Sequence, residues 1–443
     1  MPQSVLSPNA DLVSLEVLVD GATIPDSVEV RSLRTDHAVE TIPTATLVLS
    51  DGDQAEETFS VSESSTFVPG QRIELKAGYH DDNKTIFQGV ILRHAIGVDQ
   101  SGEGTLTLTC HDSAFKLSRS RSGSMSFEKT DSDLMQDLAA AAGHSADITS
   151  TTTVRDYHAQ GAATDWDYLL HLARRNGHIL TVADGTLRSA PPTLDGADLE
   201  ITFGESLLEA DLALDATGQW PGVTLSAWDP VSGTVQTATA DEPDANQQGN
   251  ITGTKLADAA GLRDWTFTVT DTQDLDARAT ALLQRIRLSR ITGAITCPGN
   301  AGLRPDTVVV LAGLGDRFNG TAYVSRVVHH LSGGDWTSTV NIGLPPLADT
   351  TQAHPASRHG VHIGRVLETY NDPSGPFHVK VTLPLVPDSA HGLWVRIARP
   401  SATHSESGGL LPEEGDEVVL GFLDGDPGAV ILLGVLQPGG AIP

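Results

Sequence analysis

Two stretches of this 443-residue chain are written on one pattern. In the first, Val68-Pro69-Gly70 leads into Ile73-Glu-Leu75, then Phe87-Gln-Gly89, an apolar run through His94, Gly104, and Thr105-Leu-Thr-Leu-Thr. In the second, Arg304-Pro305-Asp306 leads into Val309-Val-Leu311, then Phe318-Asn-Gly320, an apolar run through His329, Gly334, and Thr337-Ser-Thr-Val-Asn. The offset is 236 residues at the proline and 231 at the phenylalanine, so one loop is shorter in the second copy. The two copies predict two similar β-barrels with a helical segment between them.

The surrounding sequence agrees with that division. Before residue 118 come short, partly alternating runs: Leu12–Val19, Ala45–Ser50, Arg72–Ala77, Phe87–Ile96 and Thr105–Cys110. Turn pairs such as Asp20-Gly21, Asp51-Gly52, Pro69-Gly70 and Ser101-Gly102 separate them, as strands of a barrel or sandwich require. The texture then changes. Thr130 caps a helix carrying Leu134, Met135, Leu138 and Ala139, stopped by Gly143. Thr164 caps a second, with Trp166, Leu169, Leu170 and Ala173 on one face and Arg174 and Arg175 at the negative end of its dipole. A third is predicted from about Asp271 to Arg290, with more strand-like sequence before it at Val223–Ala227 and Trp265–Thr270. After Pro345-Pro346 a polar, aperiodic stretch reads as a linker. Five short β runs follow: His362–Glu368, Phe377–Leu383, Leu393–Ala398, Glu417–Phe422 and Ala429–Leu436. Five strands in so short a span fit an oligonucleotide/oligosaccharide-binding (OB) barrel.

Composition narrows the partners. With 28 Lys+Arg against 57 Asp+Glu the formal charge is −29, which argues against nucleic acid or an anionic membrane as the main partner. The charge is dispersed rather than blocked. Only Cys110 and Cys297 occur, far apart, so neither a disulfide framework nor a cysteine zinc site is indicated. No apolar run approaches a membrane span, and the start lacks the pattern of a secretory signal. The expectation is cytoplasmic synthesis.

The search for catalytic constellations returns bland readings. Cys110-His111-Asp112 has the letters of a triad, but neighbours on a strand face opposite sides. Gly313-Leu-Gly315-Asp-Arg-Phe-Asn-Gly320 breaks the dinucleotide-binding spacing and lies between strands, so it reads as a hairpin loop. His354, His359 and His362 are the densest histidine group, but without a metal-binding spacing they read as solvated linker. His329-His330 point oppositely, and Asp424-Gly-Asp426 matches a calcium loop only at its start. Glu413-Glu414 and Asp416-Glu417 read as a polar turn. The small barrel offers Lys380, Arg358, Arg365, Arg396 and Arg399 with few aromatics, a weak basis for nucleic-acid binding. No catalytic, cofactor-binding or metal residues are assigned, and a non-enzymatic structural part is expected.

Several segments resemble one family. Pro412-Glu-Glu-Gly-Asp-Glu-Val-Val-Leu-Gly-Phe-Leu-Asp-Gly-Asp-Pro-Gly-Ala-Val-Ile-Leu-Leu-Gly-Val-Leu resembles the OB signature of VgrG-type spike proteins, as do Gly364-Arg-Val, Asn371-Asp-Pro-Ser-Gly and Leu393-Trp394-Val-Arg396. Asp165-Trp-Asp-Tyr-Leu-Leu-His-Leu-Ala-Arg-Arg-Asn-Gly is similar to a helix of that family. Phe87-Gln-Gly-Val-Ile, and Val327-Val-His-His with Gly334-Asp-Trp-Thr, are similar to the ends of its two barrels.

The resemblance implies a mainly β fold with an α+β insertion: two tube-like β-barrels plus a C-terminal OB-fold barrel. The expected boundaries are 1–118 for the first barrel, 119–200 for the insertion, 201–346 for the second barrel with further inserted segments, 347–357 for the linker and 358–443 for the OB domain. It implies a baseplate hub of a contractile injection system, a homotrimer adapting a hexameric inner tube protein to a threefold spike tip. Further implied partners are a PAAR-like tip protein, baseplate components and effector cargo, with no membrane engaged in the resting state. Such a hub assembles in the cytoplasm as part of an injection particle and is released or injected on firing, and barrel edges would pair or pack between chains to close its ring. Unlike family members with a long β-helical spike, this sequence stops at Pro443, soon after its last predicted strand, so the spike is expected to be separate, very short or missing. The competing expectation is a phage-tail-associated cell-wall hydrolase or other β-rich hydrolase, dependent on His359 or His362.

Overall fold

A computed structural model describes residues 2–6, 10–121, 125–161, 163–229, 233–257, 260–266, 272–346, 360–369, 378–383, 392–398, 412–426 and 429–436. The chain begins with β1 (Gln3–Ser4), β2 (Val13–Val19), β3 (Ala22–Thr23), β4 (Val30–Ala38), β5 (Thr44–Ser50), β6 (Arg72–Tyr79), β7 (Asp82–Val98) and β8 (Gly104–His111). Their alternation decides which face is buried. In β5 Ala45, Leu47 and Leu49 turn inward while the threonines turn out, and β8 does the same with Leu106, Leu108 and Cys110. Leu47 lies opposite Leu108, so the pairing register puts both apolar faces into one core. The order is β4-β5-β8-β7-β6-β2-β3, antiparallel throughout.

An α+β segment follows: β9 (Met125–Thr130), α1 (Asp131–Ala141), β10 (Ser145–Ile148), β11 (Val154–Ala159), α2 (Asp165–Arg175), β12 (Ile179–Ala183) and β13 (Thr186–Ala190). Thr130 caps α1 in a reciprocal capping box with Asp133, and Thr164 caps α2, as their spacing predicted. Leu134, Met135, Trp166, Leu169 and Leu172 share one core with β12 and β13.

The second β unit contains β14 (Leu199–Thr202), β15 (Glu209–Leu214), β16 (Val223–Asp229), β17 (Thr234–Thr239), α3 (Gly253–Leu256), β18 (Leu262–Thr266), α4 (Thr272–Leu288), β19 (Ile291–Pro298), β20 (Thr307–Ala312), β21 (Gly320–Ser332) and β22 (Asp335–Ile342). Strands β16–β18 form a side sheet covered by α4; the remaining strands pair as β14-β20-β21-β22-β19-β15.

The repeat read from the sequence is present in these ladders. β20-β21-β22 copies β6-β7-β8, and both long middle strands carry a bulge: between Ile91 and Arg93 against β8, and between Val324 and Arg326 against β22. The ladders also correct its register. The sequence match sets Phe87 against Phe318, but Leu75–Phe87 corresponds to Leu311–Gly320, so Phe87 is equivalent to Gly320. Phe318 lies in the hairpin turn, its N–H bonded to Gly315 O at 3.2 Å. A shift of two residues keeps every side chain on its face, which is why the pattern survived it.

The last barrel is closed, in the order β23-β24-β25-β27-β26, from β23 (Val361–Glu368), β24 (His378–Thr382), β25 (Leu393–Ile397), β26 (Glu417–Phe422) and β27 (Val430–Val435). Phe127 and Tyr157 of the β9–β11 ribbon pack on its core. The linker expected at 347–357 lies outside the described residues. Among the described residues no helix is long and apolar enough to cross a membrane. The whole is a mainly β fold with an α+β insertion, two related tube-like β units joined in one 14-stranded sheet, and a closed C-terminal OB barrel.

Candidate assembly interface

The residues singled out for chemistry are placed by ordinary structural needs. Cys110 and Cys297 are buried thiols, each pushed up to about 12 by burial and unsuited to nucleophilic work. Asp112 caps a short 3-10 turn by accepting the Ala114 N–H at 2.8 Å, rather than orienting His111. The Gly313–Gly320 stretch is a hairpin turn in which Asn319 Oδ1 accepts the Leu314 N–H at 2.7 Å. His329 is buried and His330 exposed. His362 packs edge-on against Phe422, with ring centroids 4.9 Å apart; His354 and His359 lie outside the described residues. Asp424 falls in a short 3-10 turn that ends before Asp426. Asp416 accepts the Glu413 N–H at 2.8 Å, closing the turn before β26. Lys380 lies 5.9 Å from the Trp394 ring centroid, Arg365 donates to Gly415 O, and Arg396 is exposed; Arg358 and Arg399 lie outside the described residues. Among the described residues no group of three or more His, Cys, Asp and Glu could hold a metal ion.

The carboxylates that matter structurally, Asp131 and Glu40, were not singled out by any motif. Asp131, at the start of α1, accepts from Arg155 Nε at 3.0 Å, from Arg175 Nε at 3.1 Å and from Asn176 Nδ2 at 2.8 Å. Burial alone would raise its carboxyl, but Arg175 and Arg155 outweigh it and hold the group well below the usual carboxylate range. Arg155 also reaches Asp274 of α4 at 2.7 Å. Glu40, just after β4, accepts from Arg174 of α2 and from Arg285 of α4, each at 2.6 Å. Burial opposes its ionisation too, and Arg285 and then Arg174 pull its carboxyl below the ordinary value. These pairs weld both helices to the β framework. Arg174 and Arg175, read as counter-charges for their own helix, serve distant carboxylates instead.

The two β units meet along one strand pair. The Arg326–Ser332 half of β21 pairs antiparallel with β4, from Arg326 opposite Ala38 to Ser332 opposite Ser32. Arg326 Nε donates to Asp36 Oδ1 at 2.7 Å, and Leu331 and Trp336 enter the core of the first unit. His329 donates to or accepts from Ser338 Oγ at 2.8 Å, and its ring lies 5.8 Å from Trp336. Within the first unit, on the strand that makes the junction, His37 packs edge-on against Phe87. Burial pushes His37 down to about 4, aided by Arg304, and pushes His329 down to about 3, aided by His37 and Arg304. The junction therefore joins the units with neutral imidazoles in an apolar seam.

This architecture of a duplicated barrel followed by an OB barrel is the fold of VgrG-type hub and phage-tail proteins. The chain belongs to the family described as "Alg8 N-terminal domain", whose pattern matches residues 9–333, and the "Type VI secretion system/phage-baseplate injector OB domain" matches residues 362–436. Among solved structures, an E. coli component of the type VI secretion system, described as structurally similar to the T4 tail proteins gp27 and gp5, is 14% identical with a TM-score of 0.59, over 95% of this chain and 100% of that one. A chain of the Francisella PdpA–VgrG complex is similar over 98% of this chain and 79% of that one, at 9% identity and a TM-score of 0.58. A 43 kDa tail protein of prophage MuSo2 from Shewanella oneidensis covers 75% of this chain and 98% of its own length, at 13% identity and a TM-score of 0.57. No curated protein sequence matches the chain significantly.

Proposed function

We propose that the chain is a non-enzymatic hub of a contractile injection machine. Three copies form a ring of six related β units, which seats on a hexameric inner tube. The OB barrels lie below the ring and lead to a PAAR-like spike tip; baseplate components surround the hub, and effector cargo travels with it. The particle assembles in the cytoplasm and the hub leaves it when the sheath contracts. The division into 1–118, 119–200, 201–346 and 358–443 belongs to the same reading. The observation that carries it is the duplicated β unit with its shared bulge, because a trimer of two-unit chains presents six similar modules to a sixfold partner. The buried charges support a framework role, since Asp131 and Glu40 are neutralised by arginines rather than facing a cleft. Mass photometry at micromolar concentration, with negative-stain imaging in the presence of a tube partner, should show three-copy rings. A strict monomer under both conditions would overturn the reading.

A further inference from the structure

The junction between the two units has a counterpart that the single chain leaves open. The units can be superimposed residue by residue through their bulges. In the first, Thr35 of β4 lies opposite Ala45, Ala45 opposite Cys110, and Cys110 opposite Ile91, the residue before the bulge. In the second, Leu212 of β15 lies opposite Gly293, Gly293 opposite Ile342, and Ile342 opposite Val324, again just before the bulge. So β15 is the counterpart of β4, and β7 the counterpart of β21.

β21 uses both sides along its length: β22 on one, and on the other β20 followed by β4. β7 pairs with β8 on one side and with β6 on the other only as far as Val90. Its Arg93–Val98 half, the equivalent of the half of β21 that binds β4, has β8 on one side and, among the described residues, no strand on the other. Among the described residues β15 pairs only with β19, so its outer edge is open too. Two open edges that match an occupied junction inside the same molecule are complementary to each other. They cannot meet within one chain, because each unit already holds its own position along the sheet.

We infer that consecutive copies join by strand addition, the Arg93–Val98 half of β7 in one copy pairing antiparallel with β15 of the next, Ile96 opposite Leu212. The register is transferred from the internal junction. His329 faces Thr35 there, and their counterparts are Ile96 and Leu212. The same transfer sets Arg93, the counterpart of Arg326, opposite Asp215 and so brings opposite charges together. It sets Val98 opposite Ala210. On one face of the new ladder, Ile96 and Val98 run beside Leu212, Ala210 and Leu208.

The exposure of these residues in the single chain points the same way. Ile96 is 56% exposed, Val98 60% and Leu208, just before β15, 56%, large apolar groups on or beside the two open edges. The ladder stops before Asp99, whose carboxylate is turned into its own loop by the Ser101 and Glu103 N–H groups. The contact is head-to-tail, using different surfaces on each partner, so it closes only as a ring or runs on as a filament. It rests on the ring reading above and specifies which edges close that ring.

The full-length chain tests it by cross-linking. Directly opposite positions on antiparallel strands bring Cβ atoms within disulfide reach. The double variant Ile96→Cys with Leu212→Cys should form covalent dimers and trimers under mild oxidation, and each single variant should not; the native Cys110 and Cys297 are buried. Ile96→Cys with Asp211→Cys, one residue out of register and on the opposite face, should cross-link at about a tenth of that yield or less. Arg93→Asp should weaken self-association about tenfold, and adding Asp215→Arg should restore it. If wild-type rings form but the matched cysteines stay unlinked and Arg93→Asp changes nothing, the edge pairing is wrong while the ring stands. If the wild-type chain makes no ring at all, both the pairing and the hub reading fall.

Discussion

The two β units share a topology and differ in what their long strands are allowed to touch. In the second unit, β21 is flanked along its whole length, and the far half of it is buried against β4. In the first, the far half of β7 is exposed with Ile96 and Val98 turned to solvent. Equivalent strands from a duplicated unit thus carry buried seam residues where the chain supplies the neighbour, and exposed apolar residues where it does not. Duplication repeats a fold; it does not repeat the surroundings. The second unit is also interrupted, since β16–β18 and α4 stand between β15 and β19, whereas β4 runs directly into β5.

This contrast can be broken or sharpened by experiment. The largest effect is expected at Glu40, which ties the end of β4 to α2 and α4. Glu40→Gln leaves the buried Arg285 without its counter-charge and should lower unfolding stability by about 3–5 kcal/mol, read from thermal or denaturant unfolding. Next comes Leu331→Ala in the occupied junction, with an expected loss of about 2–5 kcal/mol from a buried cavity. Its counterpart Val98→Ala should stay within about 0.5 kcal/mol for the single chain. If the two cost the same, the junction and the open edge are not different in kind.

The junction also predicts an acid lability that its counterpart lacks. His37 and His329 are held neutral, with depressed values of about 4 and about 3. Between pH 6.5 and 4 the unfolded chain binds protons that the folded chain refuses, so stability falls as the pH drops through that window, by about 3 kcal/mol for His37 alone. Above pH 6.5 neither residue contributes a slope. The counterparts of His37 and His329 are Leu214 and Ile96, which do not titrate. His37→Leu should flatten the fall, measured as denaturant midpoint against pH; an unchanged profile would place the acid sensitivity elsewhere. The smallest effect belongs to Arg326→Ala, whose partly exposed pair with Asp36 should contribute less than about 1 kcal/mol.

Much of the framework was legible in the sequence because its causes are local. Thr130 and Thr164 announced helix starts through the geometry of a cap, and the alternation in β5 and β8 announced which face would be buried. The closed OB barrel was legible from five short runs and their turns. What was not legible depends on residues far apart in the chain. Phe87 and Phe318 looked equivalent because each begins a Phe-x-Gly triplet, one inside a strand and the other in a turn, yet hydrogen-bond ladders align Phe87 with Gly320. Arg174 satisfied a local rule about helix dipoles, and nothing in its neighbourhood pointed to Glu40, a carboxylate from another element. The pairing of β1 with β14 was likewise invisible, since two residues carry no period.

The sequence alone thus determined the unit of construction: a β module written twice, helices with their own caps, and a small barrel at the end. Periodicity, capping and turn chemistry act over a few residues and can be read there. Tertiary structure alone decided how the modules meet, which half of each long strand is covered, and which arginine serves which buried acid. Those choices follow from strand edges and charges finding partners hundreds of residues away, and only the folded chain brings them within reach.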